Sequence, residues 1–296
     1  MGKAEVKLKA GADGMRPKDE TFWQLTWYRF RRHKMAMFAA GLLVLFYLVS
    51  IFAPFIAPHD PEQVLIGPRY APPSREFPAG TDRLGRDLFS RLLWGGRVSL
   101  SVGFVAAGLS VLLGTLVGAI AGYFGGIVDE VLMRICEVMM AIPTFFLLLT
   151  VVAIFERSML NIMLVIGLTT WPSAARLVRG QFLSLREMDY VEAAKSIGAK
   201  HSRVVMRHMI PNTMAPIIVS TTLRIGGAIL TESSLSFIGL GATNPASWGT
   251  LLEAGRHTLT IAPWMVMYPG VLVFATVLAY NFLGDGLRDA LDPRLK

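Results

Sequence analysis

Apolar residues gather into six stretches free or nearly free of charge: residues 35–58, 98–128, 138–155, 158–175, 209–231 and 258–284, the fifth interrupted only by Arg224. Each runs continuously apolar and shows no period of two, which selects helices over the strands of a membrane barrel. Crossing the hydrocarbon takes about 20 helical residues, so the pattern predicts about six transmembrane helices in an all-α integral membrane protein. The first stretch is too long, and too far from Met1, for a cleaved signal peptide, and it is expected to persist as a span. Ahead of it, residues 21–34 place Trp23 and Trp27 four apart with basic residues following, the pattern of an amphipathic helix lying at the membrane interface.

Small residues and prolines add detail inside the spans. Gly114, Gly118 and Gly122 recur every four residues, with Gly103 and Ala107 on a similar spacing, so one helix face admits close approach of a neighbour, from this chain or from a partner. Pro143, Pro172, Pro216 and Pro269 each remove a backbone donor within a span and are expected to kink it.

Composition agrees with the membrane reading: 53% of residues are hydrophobic, 17% are charged, and mean hydropathy is +0.50. The net charge of +8 is not a nucleic-acid signal, because the excess sits at span ends and in the amino-terminal segment and not on one basic face. Nine lysines and arginines between Lys3 and Lys34 put the amino terminus in the cytoplasm by the positive-inside rule, and an even span count returns the carboxyl terminus to that side. The connection 176–207 then also lies inside. Loop 54–97 disagrees, with six arginines on a segment expected to face outward, although its acids offset most of that charge.

That cytoplasmic connection carries Asp189-Tyr190-Val-Glu192-Ala193-Ala194-Lys-Ser-Ile-Gly198, followed by Ile210-Pro211. Asp189 and Glu192, three apart, predict a capping box, and Gly198 predicts a carboxyl-terminal stop. The short helix expected over 190–199 is marginal alone in water and needs outside support. The segment resembles the EAA loop of ABC importer permeases. The resemblance implies a coupling helix, formed by Asp189, Tyr190, Glu192, Ala193, Ala194 and Gly198, that sits in a socket on a cytoplasmic ATPase.

Three further segments resemble the dipeptide/oligopeptide (peptide/nickel/opine) importer family and its C-type permease subunits. They are Gly80-Thr-Asp82-Arg-Leu-Gly85-Arg86-Asp87 continuing to Leu100, Ser236-Phe-Ile-Gly239-Leu-Gly241 with Ser247-Trp248-Gly249, and Asn281-Phe-Leu-Gly284-Asp285-Gly286-Leu-Arg288-Asp289-Ala-Leu-Asp292-Pro293. The resemblance covers the chain from Trp23 to Lys296, departing slightly where Ile210 precedes Pro211 in place of the common Leu. It implies a type I ABC importer permease (MetI-like) fold in a bacterial inner membrane, importing di- or oligopeptides as half of a heterodimeric pore. The implied partners are a homologous B-type permease, two cytoplasmic ABC ATPases carrying ATP and Mg, and an extracytoplasmic substrate-binding protein. The expected organisation is a cytoplasmic segment 1–34, a first span and outer loop 35–96, a transporter core 97–286 with the coupling loop at 181–211, and a tail 287–296.

Candidate chemistry on the chain itself is sparse. No G-x-x-x-x-G-K-[ST] loop or H-E-x-x-H motif occurs, so no ATP site, metal, cofactor or catalytic centre is expected here. The five histidines lack ligand spacing, and Cys136 is alone, a small packing residue. Arg224 is the ionisable residue deepest in a span and costs about 2.5–3.5 kcal/mol to insert. It either lines the translocation route, where a peptide carboxylate would pass, or forms a packing ion pair with Glu137 or Glu232. A secondary transporter or channel working without ATPases is the alternative class. It would call for inverted repeats or membrane-buried acids, and the chain has no evident repeat.

Overall fold

A computed structural model of the chain describes residues 22–155, 157–242 and 244–291, with the side chains of residues 22 and 23 excepted. Helix α1 (Phe22–Arg32) and α2 (Lys34–Ile51) meet at His33, whose Nδ1 accepts from Ala36 N at 3.1 Å and so caps α2. Helix α1 is two-faced: Phe30 is buried against the bundle while Trp27 and Tyr28 are exposed. Trp23 lies outside the described side chains.

A short α3 (Ala53–Ile56) leads into a loop organised around Asp82, which is 1% exposed. Its Oδ1 accepts from Leu84 N and Arg86 N, and its Oδ2 accepts from Arg86 Nε at 2.7 Å and Arg91 Nη1 at 2.8 Å. Glu62 takes a further bond from Arg86 Nη1 at 2.9 Å. Two of the six arginines in this loop are therefore engaged by buried or neighbouring acids. Gly80 (φ 78°) and Gly85 (φ 67°) supply the left-handed turns around that carboxylate. Asp87 then accepts from Phe89 N and Ser90 N, capping α4 (Leu88–Phe124).

Helix α4 is 37 residues long, about 55 Å at the standard rise, and forms the spine of the molecule. It packs parallel to α7 (Met159–Arg186) along the glycine stripe. A Cβ on Gly114 would collide with Ala174 Cβ, one on Gly118 with Ala175 O, and one on Gly122 with Phe182 Cβ. The neighbour admitted by these three glycines is a helix of the same chain. Gly103 faces Ile225 and Ile229 of α10 (Ile210–Leu235), which runs antiparallel to α12 (Trp264–Leu291). Gly286 of α12 abuts Ala36, so the end of α12 closes against α1 and α2 around Phe30, Ala36 and Ala290. Asp292 and Pro293 of the terminal motif lie outside the described residues.

Each apolar stretch has a helical counterpart, with one correction. Residues 138–155 are not a single helix: α5 (Gly126–Ala141) and α6 (Thr144–Ile154) meet at Ile142–Pro143 with a bend of 80°. Proline cannot continue the ladder and disfavours helical backbone in the residue before it. Pro172, Pro216 and Pro269 remain inside continuous helices. By length and composition four described helices qualify as spans, or five with the bent pair taken as one. The 28-residue α7 falls outside that count. It carries Thr169, Thr170, Ser173 and Arg176 in its middle turns. Among the described residues the only β pairing is a single bridge, Thr81 to Asp87.

Candidate functional site

The loop between α7 and α10 holds α8 (Asp189–Ser196), α9 (His201–Val204) and a π-helical turn (Val205–Met209). The capping box predicted at its start does not form. Met188, with extended backbone, is the N-cap and accepts from Val191 N and Glu192 N, while Asp189 is already helical and no side chain caps the end. Asp189 and Glu192 instead sit in the first turn, where negative charge complements the helix dipole. The predicted stop is present. Gly198 has φ 77°, its N–H reaches Lys195 O at 2.9 Å, and Ala199 N reaches Ala194 O at 3.1 Å, a Schellman closure.

Helix α8 is two-faced. Val191 and Ala194 are buried with Phe182, Val178, Val204 and Met209, which supplies the support so short a helix needs. Tyr190, Glu192, Ala193 and Lys195 face outward, and Ile197 beside them is 84% exposed. The Glu-Ala-Ala triplet thus divides: Ala194 anchors, while Glu192 and Ala193 present a surface. Two contacts missed at the sequence level tie this loop to α4. Tyr123 OH and His201 Nδ1 lie 2.7 Å apart, and Lys195 Nζ stands 5.7 Å over the Tyr123 ring. Arg179 of α7 makes a bidentate pair with Asp129 of α5, at 2.5 and 2.6 Å, bracing the same end of the bundle. Pro211 follows in the first turn of α10, directly after the π-helical turn.

Arg224 lies midway along α10 and is half-buried. Its Nε donates to Ser220 Oγ at 3.1 Å and its Nη1 to Thr170 O at 3.2 Å. The ion pair with Glu137 or Glu232 is absent. Glu137 pairs with Arg134 at 2.9 Å on an exposed surface, and Glu232, two helical turns beyond Arg224, is fully buried among serines. Its Oε1 accepts from Ser236 Oγ and Ser247 Oγ, both at 2.7 Å, and its Oε2 lies 3.4 Å from Ser233 Oγ. The clue for this cage was the serines of the Ser236–Gly241 and Ser247–Gly249 motifs. Ser247 also caps α11 (Trp248–Gly255), and Trp248 N donates to Ser99 Oγ of α4 at 3.0 Å. Arg224 instead lines a cavity of about 1140 Å³ between α7, α10 and α12 that reaches Pro211, Asn212 and Arg288 at the α8 end of the bundle.

Among the described residues no group of His, Cys, Asp or Glu is arranged to hold a metal. Cys136 is buried and free, as expected of a packing residue.

Comparison with known proteins agrees with this geometry. Residues 114–296 match the model of the binding-protein-dependent transport system inner membrane component, and residues 21–73 match the N-terminal transmembrane domain of oligopeptide transport permease C. The chain is 42% identical over 279 residues to the glutathione transport system permease protein GsiD of Pectobacterium atrosepticum, covering 93% of this chain and 92% of that protein. It is 44% identical over 278 residues to GsiD of Escherichia coli O157:H7, covering 93% and 92%. With the oligopeptide transport system permease protein OppC of Bacillus subtilis it shares 39% identity over 286 residues, 96% of this chain and 94% of that one. Among solved structures, an inward-facing form of the MetNI methionine ABC transporter superposes with TM-score 0.55 at 18% identity, over 69% of this chain and 96% of the other, a likeness of fold. A polytopic helical bundle with a supported, outward-facing Glu-Ala-Ala helix, matched over nearly its whole length, belongs to the family of binding-protein-dependent inner membrane transport components, as a C-type ABC importer permease.

Proposed function

We propose that this chain imports di- or oligopeptides, driven by two cytoplasmic ATPases that bind ATP and Mg and engage α8 through Tyr190, Glu192 and Ala193. A B-type permease completes the pore, and an extracytoplasmic binding protein delivers the substrate. The observation that carries the coupling reading is the division of α8: Val191 and Ala194 are locked into the bundle while Glu192 and Ala193 are free to meet a partner. A helix anchored on one face transmits force applied to the other. Peptide or glutathione cargo is suggested by the relatives' names, and Arg224 is assigned to the translocation route because it lines the cavity and lacks an acidic partner among the described residues. A carrier working without ATPases would use a membrane-buried acid on its path, whereas the buried Glu232 is turned into its serine cage. The organisation into residues 1–34, 35–96, 97–286 and 287–296 belongs to the same reading.

Glu192→Lys reverses the charge of the exposed face, and Gly198→Leu places a branched side chain at φ 77°, costing about 1–2 kcal/mol at the helix stop. In proteoliposomes both variants are expected to insert but to lose most ATP-driven uptake, through uncoupling or failure to hold the ATPases. Wild-type uptake in both would defeat the assignment.

The orientation we propose has both termini and α8 in the cytoplasm. It is supported by the gathering of the start of α2, the start of α10 and the end of α12 at one end of the bundle, and by the pairing of Arg86 and Arg91 in the outer loop. In a Cys136→Ser background, Ser74→Cys is expected to react with an impermeant thiol reagent added outside intact cells. Ser202→Cys should react only after permeabilisation. Both native serines are exposed, so the reverse pattern would invert the topology.

A further inference from the structure

The cavity between α7, α10 and α12 is lined mainly by apolar side chains, and among the described residues the only formal charges on its wall are the guanidiniums of Arg224 and Arg288. Neither has an ion pair among the described residues. A guanidinium carries five N–H donors, and Arg224 directs only two bonds to protein, through Nε to Ser220 and Nη1 to Thr170. Those two bonds hold the group against the wall and leave three N–H donors without a protein bond among the described residues. A cation held at mid-span without a counter-charge is costly unless water or an anion meets it. Arg288 stands at the opposite, coupling-loop end with Asn212, and Gln181 and Ser220 add polar groups along the wall. The described formal charges on the cleft wall are therefore of one sign, and a low-dielectric wall focuses the field of such charges.

We propose that this cavity is a carboxylate-binding subsite, in which Arg224 receives the carboxylate of a passing substrate at mid-depth and Arg288 draws it toward the coupling-loop end. The inference rests on the reading of Arg224 as part of the translocation route. It adds a chemical preference: substrates carrying a free carboxylate are retained and handed on, whereas their amides or cationic analogues are not. Selectivity would then be exercised a second time, in the permease, after delivery by the binding protein.

The test reads the cavity's charge directly, apart from uptake. In the assembled transporter, with Cys136→Ser, the lining residue Val219 is replaced in the variant Val219→Cys. The reaction rate of the introduced thiol is measured with an anionic sulfonatoethyl and a cationic trimethylammonium-ethyl methanethiosulfonate, each normalised to a free thiol. The anionic reagent is expected to be favoured by at least about tenfold. Arg224→Gln should cut that preference several-fold, and Arg224→Lys should restore most of it. A millimolar tripeptide acid should slow labelling more than its C-terminal amide, and Arg224→Gln should abolish the difference. A Val219→Cys thiol that reacts with neither reagent would overturn the route reading and the subsite together. Reaction of that thiol without charge preference, or with a preference indifferent to Arg224→Gln, would leave a water-filled route and overturn the carboxylate subsite alone.

Discussion

Gly118→Ala is expected to sharply lower the yield and melting temperature of the assembled permease, although it adds one methyl group. A Cβ at Gly118 would overlap Ala175 O and approach Val178 Cβ at 2.9 Å and Arg179 N at 3.0 Å. Two of these three atoms are backbone of α7, which cannot rotate away as a side chain can, so α4 and α7 must separate. Overpacking costs about 1–3 kcal/mol where side chains can adjust, and the rigid neighbours here put the expected loss at the top of that range or above it. The same stripe holds Gly114 and Gly122, so separation at one point loosens the most extensive helix–helix contact among the described residues. Gly108, on the same helix, has nothing within 4 Å of its Cβ direction. Gly108→Ala is therefore the control, expected to melt at or slightly above wild type because alanine favours helix. Thermal unfolding of the two variants in one detergent decides the point, and equal melting would sink the close-packing account.

Glu232→Ala carries the second large effect. Oε1 of this carboxylate is the shared acceptor for Ser236 and Ser247, and Ser247 is at once the N-cap of α11. Truncation removes the acceptor from two buried hydroxyls, at about 1–3 kcal/mol for each group left unsatisfied, and leaves a void besides. Glu232→Gln keeps one carbonyl oxygen in place and should retain most of the stability. The loss should also be local. Hydrogen exchange is expected to quicken over α11 and the end of α10 in Glu232→Ala, while α8, at the other end of the bundle, keeps its protection. Identical exchange in the Ala and Gln variants would mean that the serine cage does not hold α11.

Much of this architecture is legible in the sequence. The apolar stretches located the helices because span length is a property of local composition. The glycine stripe announced a tight helix contact, and Gly198 announced the end of α8, because each depends on backbone geometry within a few residues. The capping box at Asp189 failed for a local reason as well: the helix starts one residue early, at a cap supplied by Met188. Pro143 was expected to kink a helix and broke it, since α6 turns away to pack against α7 and Leu148 is buried with Ile162 and Ile166.

The chain by itself determined the class, the place of most apolar helices and the candidate coupling segment, all properties carried by neighbouring residues. Tertiary structure alone decided which partner each of these meets. It placed α7 against the glycines of α4, Tyr123 against His201 across 78 positions and Arg224 beside a cavity whose described lining holds no acid. It likewise enclosed Glu232 with Ser247, 15 residues away. Periodicity and composition fix how a segment coils, whereas the cost of a buried charge is set by atoms that only the folded chain brings within bonding distance.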